Sequence, residues 1–360
     1  MLRKTNPRTV WLLFYLWGSY LVTRLFVDFS SLTAYPTMSL NAMVNGTAVR
    51  PFVSRALVPI IIRWVDAHTS DFFQYQVMMA CTSSGFATEF YVHGYTFEKA
   101  ILLALTFLFY FGTALLLRSL ARRYYGLGEN AAWLAGLAGL ACIPLLFAAY
   151  SPVYDPPTIF FSAAMLMACT LGSSTLFGVC FLPACVNRET TILFLPVYLA
   201  FEFIRLRPLL STDRTRFAKR AALPLFFSAL LAGSWFVIRF QINQRYQHNR
   251  GGVLDFHLLD HNLRLFSVAP FAAFWSLFIV LVIAIFCIAD WRSKPQPLRW
   301  SILLIFLPLT IGSLLYGYVE ELRVYFELYP MLFLLALPTV TKTLGRAVAA
   351  NLESLKPLKL

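Results

Sequence analysis

The sequence predicts an all-α, polytopic membrane protein with about ten transmembrane helices. Of its 360 residues, 59% are hydrophobic and 13% are charged, so the chain is far more apolar than a soluble domain needs for its core. The 30 lysines and arginines outnumber the 17 acids, but they gather in short clusters between apolar runs. This pattern is typical of topology signals in a membrane and argues against a nucleic-acid partner.

Ten apolar segments are candidate spans, since roughly 20 apolar residues of helix cross a hydrocarbon core about 30 Å thick. They cover approximately residues 10–28, 99–119, 130–150, 156–171, 173–186, 190–206, 221–240, 269–289, 299–317 and 326–342. The first segment follows Arg3, Lys4 and Arg8 and precedes no small-residue cleavage site, which indicates a retained signal anchor. The fourth and fifth are short and separated by residues 172–174, so one broken hairpin is the alternative there.

The basic clusters predict the orientation, because short loops rich in Lys and Arg stay on the cytoplasmic side. With the N-terminus inside, the connections 118–123, 205–220 and 290–299 and the tail after residue 341 are all basic and cytoplasmic. Both termini are therefore predicted to be cytoplasmic. The turn at Gly172 carries no charge and gives no information.

The chain is divided into two parts. Residues 1–206 are predicted to form an N-terminal membrane core with a long extracytoplasmic loop, 29–98, whereas residues 207–360 add C-terminal membrane helices and no separate soluble domain. Within the loop, the apolar stretch 51–65 is too short and too charged to span, which suits a helix lying in the membrane interface. The stretch 72–86 is a second candidate of this kind.

Ionisable residues recur at the outer ends of the predicted spans. Charge at membrane depth is costly, so residues of this kind are functional candidates by default. They are Asp28 after the first span, Asp155 before the fourth, Arg188 and Glu189 before the sixth, and Glu320, Glu321 and Arg323 before the last. Four distant stretches thus deliver acids and bases to one surface, although contact with headgroups or water is the alternative for each.

Some of these residues also have a purely structural interpretation. Asp155 before two prolines is an ordinary helix start, and Asn187 is suited to cap the next helix through its side-chain oxygen. Arg188 and Glu189 then form a local ion pair. A guanidinium is nevertheless a planar fork suited to phosphate oxygens, which favours a binding role for Arg188.

Three short motifs follow one another on the predicted outer side. They are Tyr154-Asp155-Pro156-Pro157, then Asn187-Arg188-Glu189-Thr190 with Pro196 behind it, and Glu321-Leu322-Arg323-Val324-Tyr325 ahead of Pro330. In this order they resemble the GT-C superfamily of integral-membrane glycosyltransferases, and within it the bacterial branch akin to aminoarabinose and protein O-mannosyl transferases. The resemblance covers mostly residues 1–205 and 318–340.

The resemblance implies a helical core with interfacial helices and a donor sugar carried on a polyprenyl phosphate. It implies transfer to a glycan, lipid or protein acceptor on the extracytoplasmic side of a bacterial inner membrane, among membrane lipids, in cell-envelope glycan biosynthesis. The general base of the family lies just after the first span, which maps onto Asp28, although the usual Asp-Asp or Asp-Glu pair is Asp28-Phe29 here. Some members use a divalent cation and others do not, so a divalent-cation cofactor is left open.

On this basis the candidate residues receive roles. Asp28 or Asp155 takes the acceptor proton, and Arg188 and Arg323 stabilise the departing lipid phosphate. Basic residues of the first outer loop attract the anionic head of the lipid carrier, with simple snorkelling as the alternative. The predicted site comprises catalytic Asp28 and Asp155 and substrate-binding Arg50, Arg55, Arg188, Glu189, Glu320, Glu321, Arg323 and Tyr325.

Other functions remain as alternatives. A polymerase or ligase of lipid-linked glycans, or a membrane acyltransferase, also places acids and arginines at outer span ends, but a polymerase typically has its long outer loop late in the chain. A transporter or flippase often shows inverted repeats and charged or broken helices at the bilayer midplane. No repeat is visible here, and the span interiors 101–116, 131–149 and 271–286 are free of charge, but the short broken helices at 156–186 keep this alternative open. A non-enzymatic subunit of a glycan-assembly complex is the remaining alternative.

Overall fold

The computed structural model describes residues 7–28, 37–83, 96–147, 152–251, 256–318 and 321–354, and within these ranges the chain is all-helical, without a β-strand. The predicted all-α class is therefore confirmed. The helices are α1 Pro7–Asp28, α2 Leu40–Val44, α3 Leu57–His68, α4 Asp71–Ser83, α5 Phe97–Tyr125, α6 Glu129–Cys142, α7 Asp155–Leu171, α8 Ser174–Asn187, α9 Phe194–Thr212, α10 Arg214–Arg245, α11 Leu263–Val268, α12 Pro270–Ile288, α13 Gln296–Tyr316 and α14 Tyr329–Ser354. Short 3-10 turns at Phe52–Ser54, Ile143–Leu146, Glu189–Leu193, Trp291–Ser293 and Leu322–Glu327 and a π turn at Leu258–Asn262 join some of them.

Five helices in the described part of the chain are long and apolar enough to cross a membrane. They are α1, α5, α6 with its 3-10 extension to Leu146, α10 and α13. Two further apolar helices, α7 and α8, are shorter, as is the 277–288 part of α12. The predicted membrane class is thus confirmed, and each predicted span overlaps a helix in the described residues.

Large apolar side chains cover the outside of these helices. Trp17 on α1 and Leu223 and Phe226 on α10 are each more than 60% exposed. A soluble protein rarely exposes so many large apolar side chains together, whereas a bilayer solvates them, and the helices satisfy their own backbone polar groups. The exposed apolar surface is therefore the surface expected to face lipid.

Helix α7 lies at the centre of the fold. It packs against α5, α8, α9 and α14, and most of its side chains are buried. Pro156 and Pro157 occupy its first turn, where the missing N–H groups cost little, and Gly172 ends it with a φ of 69°. This positive φ is the left-handed conformation that glycine adopts readily at a helix C-terminus.

The tight turn at Gly172 makes α7 and α8 an antiparallel hairpin of two separate helices. Because the hairpin is antiparallel, the beginning of α7 and the end of α8 meet at the same end. Asn187 links them there: its Nδ2 donates to the backbone oxygen of Tyr154 and to Oγ1 of Thr158, both at 2.9 Å. Asp155 and Arg188 are therefore brought to one place by local structure.

Candidate active site

Four polar residues from separate parts of the chain converge at the open end of the α7–α8 hairpin. Asp155 begins α7, Arg188 follows α8, and Arg323 lies in the Leu322–Glu327 turn ahead of α14. Arg55 lies just before α3, after the Phe52–Ser54 turn. Asp155, Arg188 and Arg323 are all buried, at 0%, 5% and 6% exposure. The predicted gathering of distant charges is thus present in the fold for these residues.

Tyr154 connects two of the arginines. Its hydroxyl oxygen accepts a hydrogen bond from Nη1 of Arg323 at 3.0 Å and another from Nη1 of Arg55. The guanidinium carbon of Arg55 also lies 4.4 Å from the centre of the Tyr154 ring. The fully buried phenol of Tyr154 therefore holds the segment before α3 and the Leu322–Glu327 turn against α7.

Each arginine is held by a glutamate. Glu321 accepts two hydrogen bonds from Nη2 of Arg323, at 2.8 and 2.9 Å. Glu189 lies 2.7 Å from Nη2 of Arg55 and 3.5 Å from Nη2 of Arg239. Such charge-assisted pairs fix the orientation of a guanidinium as well as neutralise it.

The fourth arginine is held in the same way. Nε of Arg188 lies 3.0 Å from Oε1 of Glu327, an ion pair between two residues that are both almost completely buried. The N–H of Nε does not point at this oxygen, so the pair lacks a well-aligned hydrogen bond. Oε1 of Glu327 accepts a hydrogen bond from Oγ1 of Thr190 instead.

Asp155 is the exception among the carboxylates of this cluster. Neither of its oxygens accepts a hydrogen bond from the residues that the structure describes, and it forms no ion pair with them at 4 Å or less. The charges that act on it most strongly are the guanidinium groups of Arg323, Arg188 and Arg55. Burial disfavours its ionised form, whereas the three cations favour it, so a buried carboxyl without an ion pair lies in a positive surrounding.

The pKa values of Glu189 and Arg323 are displaced in the directions that their ion pairs favour. Burial opposes ionisation of Glu189, but the guanidinium of Arg55, together with those of Arg239 and Arg188, outweighs it and keeps the pKa of this carboxyl well below its usual range. Burial likewise opposes the charged form of Arg323, but Tyr154, Glu321 and Asp155 raise its pKa above the ordinary value. These groups therefore stay charged at neutral pH.

An apolar cleft adjoins the cluster. It has a volume of about 170 Å³ and lies between α12, α13 and the Leu322–Glu327 turn. Leu322 and Tyr325, the neighbours of Arg323, line one part of it, and Cys287 and Trp291 near the C-terminal end of α12 line another. The cleft therefore offers a small apolar space along α12, beside the turn that carries Arg323.

The remaining predicted site residues lie elsewhere or serve other contacts. Asp28 is exposed and pairs with Arg24 at 2.6 Å, one turn earlier on α1. Nε of Arg50 donates to the backbone oxygen of Asn249 at 3.1 Å. This bond helps to join the segment between α2 and α3 to the segment after α10. Tyr325 stacks on Phe306 and lines the apolar cleft. Glu320 lies outside the described residues.

Two structural interpretations of the sequence are wrong. Oδ1 of Asn187 has no hydrogen-bond partner within the described ranges, so it does not cap the following helix. Its Nδ2 instead holds the α7–α8 hairpin together. The next helical turn begins only after Arg188, whose backbone is extended. Arg188 pairs with Glu327 and Glu189 with Arg55, so the two adjacent residues do not pair with each other.

Sequence reasoning missed two members of the cluster, Arg239 and Glu327. Arg239 is 8% exposed, and its Nη1 donates to the backbone oxygen of Ser54 at 3.0 Å. Both residues fall inside predicted spans, 221–240 and 326–342. A charge within an apolar span is costly enough to indicate a specific partner, and this signal was available in the sequence.

The donor set does not suit a divalent cation. Asp155 is the one carboxylate of the described cluster that forms no ion pair, and three guanidinium groups act on it. Hard cations prefer several oxygen ligands, and no group of three or more His, Cys, Asp or Glu side chains that could hold a metal occurs in the described part of the chain. No step of the chemistry is therefore derived through a metal.

No family model, curated protein or solved structure matches the chain.

Proposed function

We propose that the chain is an integral-membrane glycosyltransferase that moves a sugar from a polyprenyl-phosphate donor to an acceptor on the extracytoplasmic side. One observation carries the proposal. A buried carboxyl, Asp155, has no ion pair of its own among the described residues, and it is surrounded by three arginines that glutamates hold in place. This arrangement leaves one group able to accept a proton and several cations able to stabilise an anion.

The leaving group that fits this surrounding is a lipid phosphate. Arg323 and Arg188 offer planar donors for phosphate oxygens, in a buried setting where such contacts act more strongly than in water. The cleft beside Arg323 is apolar and suits the first part of a prenyl chain. A water-soluble sugar nucleotide would have no use for such a cleft.

The reaction follows from these positions. The acceptor oxygen attacks the anomeric carbon and forms the new C–O bond, while its proton moves to the Asp155 carboxylate. The bond between the anomeric carbon and the phosphate oxygen breaks, and its electron pair stays on the lipid phosphate, which leaves as the monoester. The arginines stabilise the charge that builds on this oxygen as the bond breaks.

The proposal assigns the base to Asp155 instead of Asp28. Asp28 is exposed and paired with Arg24, whereas Asp155 lies among the arginines. A base must reach the acceptor oxygen next to the sugar carbon, and that carbon is attached to the phosphate. The carboxyl nearest the phosphate-binding groups is therefore the better candidate.

The topology that goes with this function has ten spans, with both termini in the cytoplasm of a bacterial cell. The shorter helices α7, α8 and α12 and the more polar α9 and α14 then cross together with the five long helices. Packing against neighbours permits this, because a helix inside a bundle needs less apolar surface. Helices α3 and α4 lie in the outer interface, where the exposed Trp64, Phe72 and Tyr75 meet headgroups.

The test is a transfer assay with purified protein in detergent or vesicles. A panel of labelled polyprenyl-phosphate sugars is offered with candidate acceptors, a glycan, a lipid or a peptide, and products are separated by chromatography. Wild type is expected to release polyprenyl phosphate and to transfer the label. Asp155→Asn, which keeps the shape and removes the base, is expected to lose ~100- to 10,000-fold in rate.

The matched control is Asp71→Asn. Asp71 also opens a helix on the outer side, but it is exposed and lies on α4. It is expected to keep wild-type activity. If Asp28→Asn loses activity while Asp155→Asn keeps it, the base is Asp28. If no donor is bound or turned over, the transferase proposal fails, and lipid movement across vesicles without transfer would support a flippase.

A further inference from the structure

Glu327 is the most deeply buried glutamate in the described cluster. It is 2% exposed and ends the same short turn that carries Arg323. Within the described residues its polar contacts are with Arg188 and Thr190, which lie more than 130 positions away in sequence. Burying a carboxylate this completely is costly unless it is paired, so its partner Arg188 accounts for its presence.

The ion pair with Glu327 involves Nε, at one edge of the Arg188 guanidinium, and does not involve its other nitrogens. Oε1 of Glu327 faces Nε, whereas Nη1 of Arg188 is buried and has no hydrogen-bond partner within the described ranges. Arg188, Asn187 and Glu327 line one small cavity of about 10 Å³, with room for roughly one water molecule. A donor of Arg188 therefore has no hydrogen-bond partner within the described residues that line or adjoin this cavity.

We propose that Glu327 is a positioning residue: it orients Arg188 toward the phosphate and limits how tightly Arg188 holds that phosphate before reaction. The inference rests on the proposed function and assigns a role within the same site. A buried guanidinium without a counter-ion binds any anion strongly in the ground state, which does not accelerate the reaction. Pairing with Glu327 offsets the charge of Arg188 in the resting site and keeps its Nε 3.0 Å from Oε1, so the contact of Arg188 with the phosphate strengthens as charge builds on the leaving oxygen.

Two substitutions separate the charge of Glu327 from its reach. Glu327→Gln keeps the size and removes the charge, so the site becomes more positive and Arg188 loses its anchor. Affinity for a phosphate headgroup is expected to rise ~3- to 10-fold while kcat falls ~10- to 100-fold. Glu327→Asp keeps the charge but shortens the side chain, so affinity is expected to stay near wild type while kcat falls.

Binding is measured with farnesyl phosphate, and farnesol as the uncharged comparison, by native mass spectrometry of the full chain in detergent. Turnover is measured with the polyprenyl-phosphate sugar that wild type uses. The matched control is Glu202→Gln, because Glu202 also pairs with an arginine, Arg205, but lies on α9 outside the cluster. It is expected to change neither affinity nor kcat.

The outcomes are distinguishable. A merely structural role predicts less folded protein with unchanged affinity and unchanged kcat per folded molecule, and that result overturns the inference. So does a Glu327→Gln variant that binds farnesyl phosphate no more tightly than wild type, or a Glu327→Asp variant with wild-type kcat. If wild type itself binds farnesyl phosphate no better than farnesol, the proposed function fails, and this inference fails with it.

Discussion

At the scale of single residues, Glu189 joins three parts of the chain. Glu189 lies just after the α7–α8 hairpin. It pairs with Arg55, which lies just before α3, and with Arg239 near the end of α10. Two buried cations therefore depend on one partly exposed acid. Removing the acid leaves both guanidinium groups without their counter-ion, which costs more than the pair itself contributes.

Glu189→Gln is expected to lower the melting temperature at neutral pH. The loss amounts to about 1–3 kcal/mol, since hydrogen bonds to charged groups contribute about that much and the partial exposure of Glu189 screens them. Thermal melting in detergent measures it. Asp71→Asn, at an exposed acid, is the control and is expected to melt like wild type.

The same pair makes stability depend on pH. The pKa of Glu189 in the folded chain lies below 4.5, its ordinary value, so its contribution is fully present above that pH and is lost as the pH falls toward the folded pKa. The difference in melting temperature between wild type and Glu189→Gln is therefore expected to shrink as the pH is lowered below about 4.5. A difference that stays constant with pH would contradict the role given to this carboxylate.

The sequence predicts which residues gather but not how they pair. Asp155, Arg188 and Arg323 were predicted from the side of the membrane on which they lie, and topology alone brings them near each other. Pairing is decided by side-chain reach across packed helices, so the Arg188–Glu327 contact has no local signal. Hydropathy does not distinguish Arg239 and Glu327 from the apolar spans 221–240 and 326–342 that contain them, whereas the cost of burying their charge does.

At the scale of helices, the closest packing is the crossing of α1, α5 and α6. A Cβ atom on Gly136 of α6 would lie 1.9 Å from the hydroxyl oxygen of Tyr15 and 2.7 Å from the backbone oxygen of Ala114. Tyr15 uses that hydroxyl to donate to the backbone oxygen of Trp133 at 2.8 Å. Small residues let membrane helices approach in this way, and here the approach also satisfies a buried phenol.

Gly136→Ala is expected to destabilise the protein by about 1–3 kcal/mol, because the backbone of α5 must move to admit the methyl group. Gly233→Ala is the matched control: no atom lies within 4 Å of the Cβ position there, so the substitution is expected to be neutral or slightly stabilising. Melting curves followed with a thiol-reactive dye compare the two. Equal stability of both variants would contradict the packing described at Gly136.

The sequence predicts the existence of these helices better than their ends. Helix α5 continues to Tyr125, beyond the predicted end at 119, and α10 begins at Arg214 instead of 221. Hydropathy marks only the apolar part, whereas arginine, lysine and alanine continue a helix well into a polar layer. Helix α5 stops at Gly126, which has a φ of 61°. The Gly136 crossing has no counterpart in hydropathy at all.

At the scale of the whole molecule, the proposed orientation puts the arginine cluster outside and the basic loops inside. A membrane-impermeant maleimide is expected to label Cys81 on α4 in intact cells. The reason is that α4 belongs to the loop 29–98, which is predicted to be extracytoplasmic. Cys81→Ser is expected to remove that labelling. Ser211 is exposed in the last turn of α9. Ser211→Cys, added to Cys81→Ser, is expected to react only after the cells are permeabilised.

Labelling of Ser211→Cys in intact cells would contradict this orientation. It would mean that the arginine cluster lies on the cytoplasmic side.

The all-helical membrane class followed from composition alone, since runs of apolar residues have few other stable arrangements in lipid. The arrangement of the bundle did not follow from it, because neither hydropathy nor charge fixes which helix lies at the centre. Helix α7, short and interrupted at both ends, holds that place.

The central claim is that a lipid phosphate binds between the arginines, with its sugar beside Asp155. The most direct measurement is a cryo-electron microscopy structure of the protein in a lipid nanodisc with a non-transferable polyprenyl-phosphate sugar. The phosphate is expected within hydrogen-bond distance of Arg188 or Arg323, the prenyl chain in the cleft along α12, and the anomeric carbon next to the Asp155 carboxyl. A phosphate bound outside the cluster, with Asp155 still enclosed and far from the sugar, would contradict the account.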